Sequence, residues 1–494
     1  MPARRTVLAG LAAAPFAAAT ARAAAAASPG ERVASGLRPA FEVAGRPRTL
    51  WAIGDRLVRY KVPGASIAVV DGGRPDWAGA FGVADAASGR KVDTETAFQA
   101  ASISKMIAAN VTLALVDRGM LDLDSDVNAY LTSWQVPGNA FTAREKVTLR
   151  RILSHRAGFS VHGFRGYRPD GPRPTILEVL DGRAPAENKP VRVEFVPGTR
   201  TQYSGGGVSV EQLVDSDVTG KTFESLAEDY VLGPAGLTRS SFRQPPPASI
   251  AANLAKAHDA EGAVVPGGWS IGPELAAAWL WTTPSDLMRW AVAIDDARLG
   301  AAHAILKRAT VAGMLTAQGG EYGLGPLLEG AGRAFRFGHG GNNTGFRAQV
   351  FYFPATRQGC AIMVNGEGGD FLIDEIVRAV AAEYGWPALA PEKVAPVLLS
   401  PAQRAAVAGR YDLAFPGADK PLACIIAQAD GALRLTLEPV LIDDEIVAQS
   451  LRRFVSPVVG YALDLDVSGG GKVNGFTLTY NGTPMKAVAR PPQG

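Results

Sequence analysis

Apolar and polar residues alternate along 66–70 and 77–83, on either side of Asp71-Gly72-Gly73-Arg74, and this pairing is a hairpin signal. A second hairpin is predicted near the far end, with runs at 346–353 and 359–364 turning at Pro354-Ala355-Thr356. The period then lengthens. Residues 371–384 read as an amphipathic helix that stops at Gly385-Trp386-Pro387. Between the hairpins, helices are predicted at 105–118, 207–219, 223–231 and 284–296. Antiparallel strands at both ends with helices between predict an α+β fold, one sheet packed against helices rather than alternating βαβ units. Residues 161–194 are also expected to be helical, although Pro, Arg and Gly crowd them and no clear period runs through them.

Residues 388–399 are rich in Pro and Ala, as a linker is. Beyond them come short strand-like runs at 409–413, 423–427, 433–437, 461–467, 476–480 and 485–490. Turn residues separate these runs at intervals that suit a small all-β barrel or sandwich. No catalytic constellation is visible there, so the segment reads as a structural or substrate-shielding appendage. The expected organisation is an export signal at 1–27, a main domain at 28–390, and a linker with a C-terminal β domain at 391–494.

At 494 residues, with 47% apolar and 20% charged side chains, the chain is long enough for two domains and ordinary for a globular protein. Arg4-Arg5, the weakly apolar run 6–19 and the A-x-A pattern Ala21-Arg22-Ala23 form an export signal, implying a periplasmic or secreted protein. Paired arginines before Thr6-Val7-Leu8-Ala9-Gly10 resemble the twin-arginine type, with a general secretory signal as the alternative. Pro15 breaks the stretch, and no later segment holds 18 uninterrupted apolar residues, so no integral membrane span is expected once the signal is removed. Loss of Arg4, Arg5 and Arg22 leaves 47 basic and 47 acidic side chains. Such neutrality gives no electrostatic case for a nucleic acid or an anionic membrane as partner. Cys360 and Cys424 sit in apolar runs far apart and read as buried thiols, and the five histidines make no pair at metal spacing.

Chemistry enters at Ser102-Ile103-Ser104-Lys105, where a helix begins; the other Ser-x-x-Lys spacing, Ser88-Gly89-Arg90-Lys91, opens no helix. Residues three apart share a helix face. Lys105 can therefore reach the Ser102 hydroxyl, a poor nucleophile until a neighbouring base takes its proton. The positive end of the helix favours negative charge developing there.

Further motifs follow in order: Gly119-Met120-Leu121-Asp122-Leu123-Asp124, Ser154-His155-Arg156-Ala157-Gly158, Tyr203-Ser204-Gly205, Leu280-Trp281-Thr282-Thr283-Pro284 and His339-Gly340-Gly341-Asn342. Together with Ser102 and Lys105 they make the region 65–386 resemble the serine hydrolases related to class C β-lactamases, penicillin-binding proteins, D-aminopeptidases and family VIII-type esterases. The resemblance implies an antiparallel sheet flanked by helices with an all-helical subdomain. It also implies an acyl-Ser102 intermediate, no cofactor, and a small-molecule or peptide substrate, cell-wall fragments included.

By the same resemblance, Tyr203 holds the place of the Tyr-x-Asn tyrosine that helps move the nucleophile's proton. A phenol near an ammonium can have a lowered pKa and act as base. His339-Gly340-Gly341 stands where the family has Lys-Thr-Gly, with His339 tuning the site, and the backbone N–H groups of Ser102 and Asn342 would form the oxyanion hole. Two departures follow. His339 removes a fixed positive charge that meets an antibiotic's carboxylate, and Gly205 removes an amide that binds the substrate's amide. Both make an esterase or D-amino-acid peptidase a better expectation than an efficient β-lactamase. His155 reads as structural, and Arg347 as facing solvent.

Two alternatives remain: a non-hydrolytic binding relative, and an α/β-hydrolase whose nucleophile is Ser270 in Gly268-Trp269-Ser270-Ile271-Gly272. The second needs a strand before the motif and a helix after it. Pro266 and Pro273 argue against both.

Overall fold

The computed structural model describes residues 27–415, 420–429, 431–438, 442–469 and 471–490. The export signal expected at 1–27 lies, but for its last residue, outside the described residues.

Seven strands build the central sheet: β1 (Gly64–Asp71), β2 (Arg74–Asp85), β3 (Arg90–Lys91), β4 (Leu327–Glu329), β5 (Arg336–Asn343), β6 (Phe346–Phe353) and β7 (Gln358–Val364). Their order is β3-β2-β1-β7-β6-β5-β4, antiparallel throughout. Both predicted hairpins form. Gly72 and Gly73, at φ +58° and +77°, supply the left-handed pair that a two-residue turn needs. In β1 and β7 alternate residues pack on opposite faces. Ile67, Val69, Ile362 and Val364 meet Leu372, Ile376 and Val380 of α5 (Gly369–Tyr384), which Gly385 caps in the left-handed conformation. On the other face Ala68, Val70, Ala361 and Met363 join one core with α1 (Ser104–Asp117) and α4 (Pro284–Leu299), including Ile107, Leu287, Trp290 and Ile294. Burying each such Leu, Ile or Val side chain contributes about 1.5–3 kcal/mol. Two further helices matter to the site: α2 (Gly205–Thr219) and the short α3 (Leu275–Ala278).

Two expectations change. The segment 161–194 holds one short helix, Ile176–Asp181, started by a Thr175–Glu178 capping box. Its five prolines remove backbone donors, and the rest runs irregularly along bridges such as Phe159 to Val193. The helix expected at 223–231 ends at Ala227 and widens into a π turn, Glu228–Leu232.

At the C-terminus eight antiparallel strands from Gly409–Leu413 to Thr483–Ala489 close into a barrel around Leu413, Ile426, Leu435, Phe454, Leu463 and Leu478. Two of them, Ile442–Ala448 and Arg453–Val455, were not among the predicted runs. Within 388–399, Glu392–Val394 forms a parallel ladder with Phe41–Val43.

Candidate active site

Ser102 is carried into the site by a two-residue ladder, Phe98–Gln99 against Trp281–Thr282, after which the chain tightens into the 3-10 turn Ala101–Ile103 and enters α1. Ala101, before the serine, takes φ +49°. That conformation costs a non-glycine residue about 1 kcal/mol or more and is held by the packing around it. Ser102 is half-buried, while Lys105 is buried one turn below it. Lys105 Nζ lies 3.1 Å from Ser102 Oγ and donates to the Ala277 carbonyl of α3 at 2.7 Å. Burial pushes the ammonium down to about 7, with Glu211 pulling it back up. An amine in that range is substantially neutral near pH 7 and can accept a proton.

Tyr203 immediately precedes α2, whose N-cap Ser204 accepts from Gly207 N–H at 2.9 Å and donates to the Ser160 carbonyl at 2.7 Å. The Tyr203 ring lies 4.4 Å from the His155 ring, 4.8 Å from His162 and 5.8 Å from His339, and Lys105 Nζ stands 4.9 Å from its centre. Its hydroxyl is buried, with the Ser102 hydroxyl near it but in no well-formed hydrogen bond. Burial pushes this phenol up, only partly offset by Ser102. The shift is opposite to the lowered phenol expected from the sequence: desolvation outweighs any help to the phenolate.

His339, on β5, is buried and held down to about 4 by burial first and by Lys105 second. Its Nδ1 lies 2.5 Å from the Gly340 carbonyl. A carbonyl can only accept, so Nδ1 carries the hydrogen and Nε2, buried and unpartnered, is a bare acceptor. Gly341 allows β5 to lie against the Ser102 turn, since a Cβ there would come within 2.3 Å of the Ala100 carbonyl oxygen.

A cleft of about 440 Å³ gathers Ser102, Tyr203, His339, Gly340, Gly341 and Asn342. Gly205 is not on its lining: it is buried, and a Cβ there would sit 3.1 Å from the His162 carbonyl and from the Phe164 ring. His155 is buried, accepts from Ser204 N–H at 3.3 Å and steadies Tyr203. His162, Tyr322, Gln349, Asp370, Asp374 and Asn481 also line the cleft. They were missed because they come from two irregular loops, from β6, from α5 and from the last barrel hairpin, and only folding brings them together. Among the described residues lining the cleft there is no lysine or arginine.

Arg347 does not face solvent. It is buried, pairs with Glu367 and Asp370, and donates to the Asn343 carbonyl at 2.8 Å. Ser270 has neither a strand before it nor a helix directly after it, and its carbonyl is taken by Gln99 Nε2 at 2.6 Å. With an antiparallel sheet, the α/β-hydrolase reading falls. A larger cavity of about 850 Å³, between Phe41, Arg46, Trp51, Asp444 and Pro457, contains none of the site residues.

A family model described as Beta-lactamase matches residues 43–383. Penicillin-binding protein 4 of Amycolatopsis lactamdurans is 28% identical over 377 residues, covering 72% of this chain and 94% of that protein. D-aminopeptidase of Brucella canis is 24% identical over 351 residues, covering 67% of this chain and 61% of that one. The octameric penicillin-binding protein homologue from Pyrococcus abyssi superposes with a TM-score of 0.58 at 20% identity, over 88% of this chain and 97% of its own, a likeness of fold.

Proposed function

The chain belongs to the Beta-lactamase family of serine hydrolases, and we propose that it is an exported enzyme that cleaves an ester or amide through an acyl-Ser102 intermediate. The observation that carries this reading is the buried Lys105 amine, 3.1 Å from Ser102 Oγ and pushed down to about 7. Lys105 takes the hydroxyl proton as Ser102 Oγ attacks the carbonyl carbon. The oxyanion forms against the N–H groups of Ser102 and Asn342. Tyr203, held as a neutral phenol, gives a proton to the leaving group and is resupplied from Lys105. Water then attacks the acyl group, with Lys105 again as base, and Ser102 is released.

The polarity of the cleft argues for the substrate. His339 offers an acceptor at Nε2 where a cation would meet a carboxylate, and the cleft's two acids are already met, Asp370 by Arg347 and Asp374 by Tyr480. A neutral carboxylester or D-amino-acid amide suits a cleft without a free cation better than an anionic β-lactam. The small molecule or short peptide is the partner; nucleic acid has no part in this reading. Among the described residues no helix is long and apolar enough to cross a membrane.

The test is turnover of p-nitrophenyl esters, D-alanyl p-nitroanilide and nitrocefin, beside Ser102→Ala. Ester or D-amide turnover is expected, lost by about 10⁴-fold or more in the variant with folding intact. Because Lys105 must be neutral, kcat/KM should rise with pH through about 7 and show no separate step near 4, where His339 titrates. Near-normal activity of Ser102→Ala would sink the assignment.

A further inference from the structure

One side chain of the cleft, His162, has no part in the steps above. It is carried by residues 160–164, which lie on the first turn of α2. There the Val161 carbonyl accepts from Gly206 N–H and the His162 carbonyl from Gly205 N–H, both at 3.0 Å. Glycines make the seat: a Cβ at Gly206 would stand 2.9 Å from the Ser160 carbonyl oxygen. On the other side Ser160 N–H donates to the Arg192 carbonyl at 2.8 Å, and the Ser160 hydroxyl accepts from Arg192 N–H at 2.9 Å. Held in this way, Val161 takes φ +62°. A β-branched residue enters that region only under constraint, and such strain gathers at active sites and ligand clamps.

The strained turn brings His162 into the cleft of Ser102, Tyr203 and His339, with its ring centre 4.8 Å from that of Tyr203, yet the residue stays exposed. His155 spends a ring nitrogen on Ser204 N–H and His339 spends one on the Gly340 carbonyl; neither nitrogen of His162 is bonded to another described residue. Desolvation first and Lys105 second hold its imidazole below the ordinary range. Near neutral pH it therefore offers one N–H donor and one bare acceptor. An amide presents the complementary pair. Packing on Tyr203 alone would be served as well by a phenylalanine, which turns no nitrogen towards the cleft.

We propose that His162 is a specificity-determining residue whose free ring nitrogens hydrogen-bond an amide flanking the substrate's scissile carbonyl. This rests on the acyl-serine reading above and narrows it from any neutral ester to a peptide-like substrate. The amide belongs either to the acyl part or to the leaving group, and matched esters separate the two.

The test reads kcat/KM on two pairs. p-Nitrophenyl N-acetylglycinate and p-nitrophenyl pentanoate differ by an amide in the acyl part. 4-Acetamidophenyl acetate and 4-propylphenyl acetate differ by one in the leaving group. His162→Phe should lower the amide-bearing member of one pair about tenfold relative to its partner, and the pair affected tells which side the amide occupies. His162→Gln keeps a donor and an acceptor and should recover part of that ratio. A ring that only steadies Tyr203 would slow all four esters alike. Ratios unmoved in both pairs, with or without a uniform loss, overturn the proposal while the hydrolase reading stands. Should His162→Phe not fold, His162→Ala is read in the same way. A folded wild type that hydrolyses none of the four removes the acyl-serine reading, and this inference with it.

Discussion

In the barrel, buried polar groups are met: Tyr411 donates to the Val407 carbonyl at 2.7 Å, and Asp444 accepts from Ser456 and from the N–H groups of Val458 and Val459. Around Ser102 the Tyr203 hydroxyl, His339 Nε2 and Glu211 Oε2 have no partner, whereas among the described residues of the barrel strands no buried side-chain atom is left in that state. Each unmet group costs about 1–3 kcal/mol. The barrel core follows packing alone. Unmet groups also occur away from the site, at Arg38, Asn188 and Thr356, but around Ser102 they coincide with the motif residues, and that is where chemistry should be sought.

Matched glycines break this comparison most directly. A Cβ at Gly341 would meet the Ala100 carbonyl oxygen at 2.3 Å, and one at Gly475 would meet the Ala487 carbonyl oxygen at 2.1 Å. Gly341→Ala displaces β5 from the Ser102 turn, so activity should fall about 10²-fold, read as kcat/KM on the best ester. Gly475→Ala should instead cost about 1–3 kcal/mol, read by urea unfolding, with kcat unchanged in the folded fraction. Equal losses of activity from both would show that the barrel takes part in the chemistry.

His339→Lys comes next in size. It restores a cation where Nε2 now accepts, so turnover of a carboxylate-bearing β-lactam relative to a neutral ester should rise about tenfold. An unchanged ratio would mean that His339 does not meet the substrate. The smallest effect belongs to the barrel. Tyr411→Phe leaves the Val407 carbonyl unpaired and should cost about 1 kcal/mol of stability with no change in activity.

The hairpins, α1, α4 and α5 could be read from the sequence because each is an apolar-rich run bounded by turn residues, with Gly119, Gly300 and Gly385 in the left-handed conformation just past the helices. The strand Ile442–Ala448 could not, since Asp443-Asp444-Glu445 masks its alternation and Asp444 turns inward onto backbone donors. Arg347 misled for a related reason: an arginine is exposed by habit, and only the fold sets Glu367 and Asp370 against it. Ser102, Lys105, Tyr203 and His339 were visible as motifs, and the structure brings them together. The sign of the Tyr203 shift was not, because desolvation depends on neighbours far away in the chain.

The ladder between Phe41–Val43 and Glu392–Val394 also governs the order of assembly. Phe41 N–H bonds to the Pro457 carbonyl, and Ala44 N–H to that of Val394. An early-made segment therefore finds its partners only after nearly the whole chain has been synthesised. β1 waits less long, since its neighbour β7, the last strand of the sheet, ends at Val364. Such distant closures slow folding and leave strand edges open meanwhile. A nascent chain of this protein should thus depend on residues 392–457 to reach a protease-resistant state, even though none of them lines the Ser102 cleft.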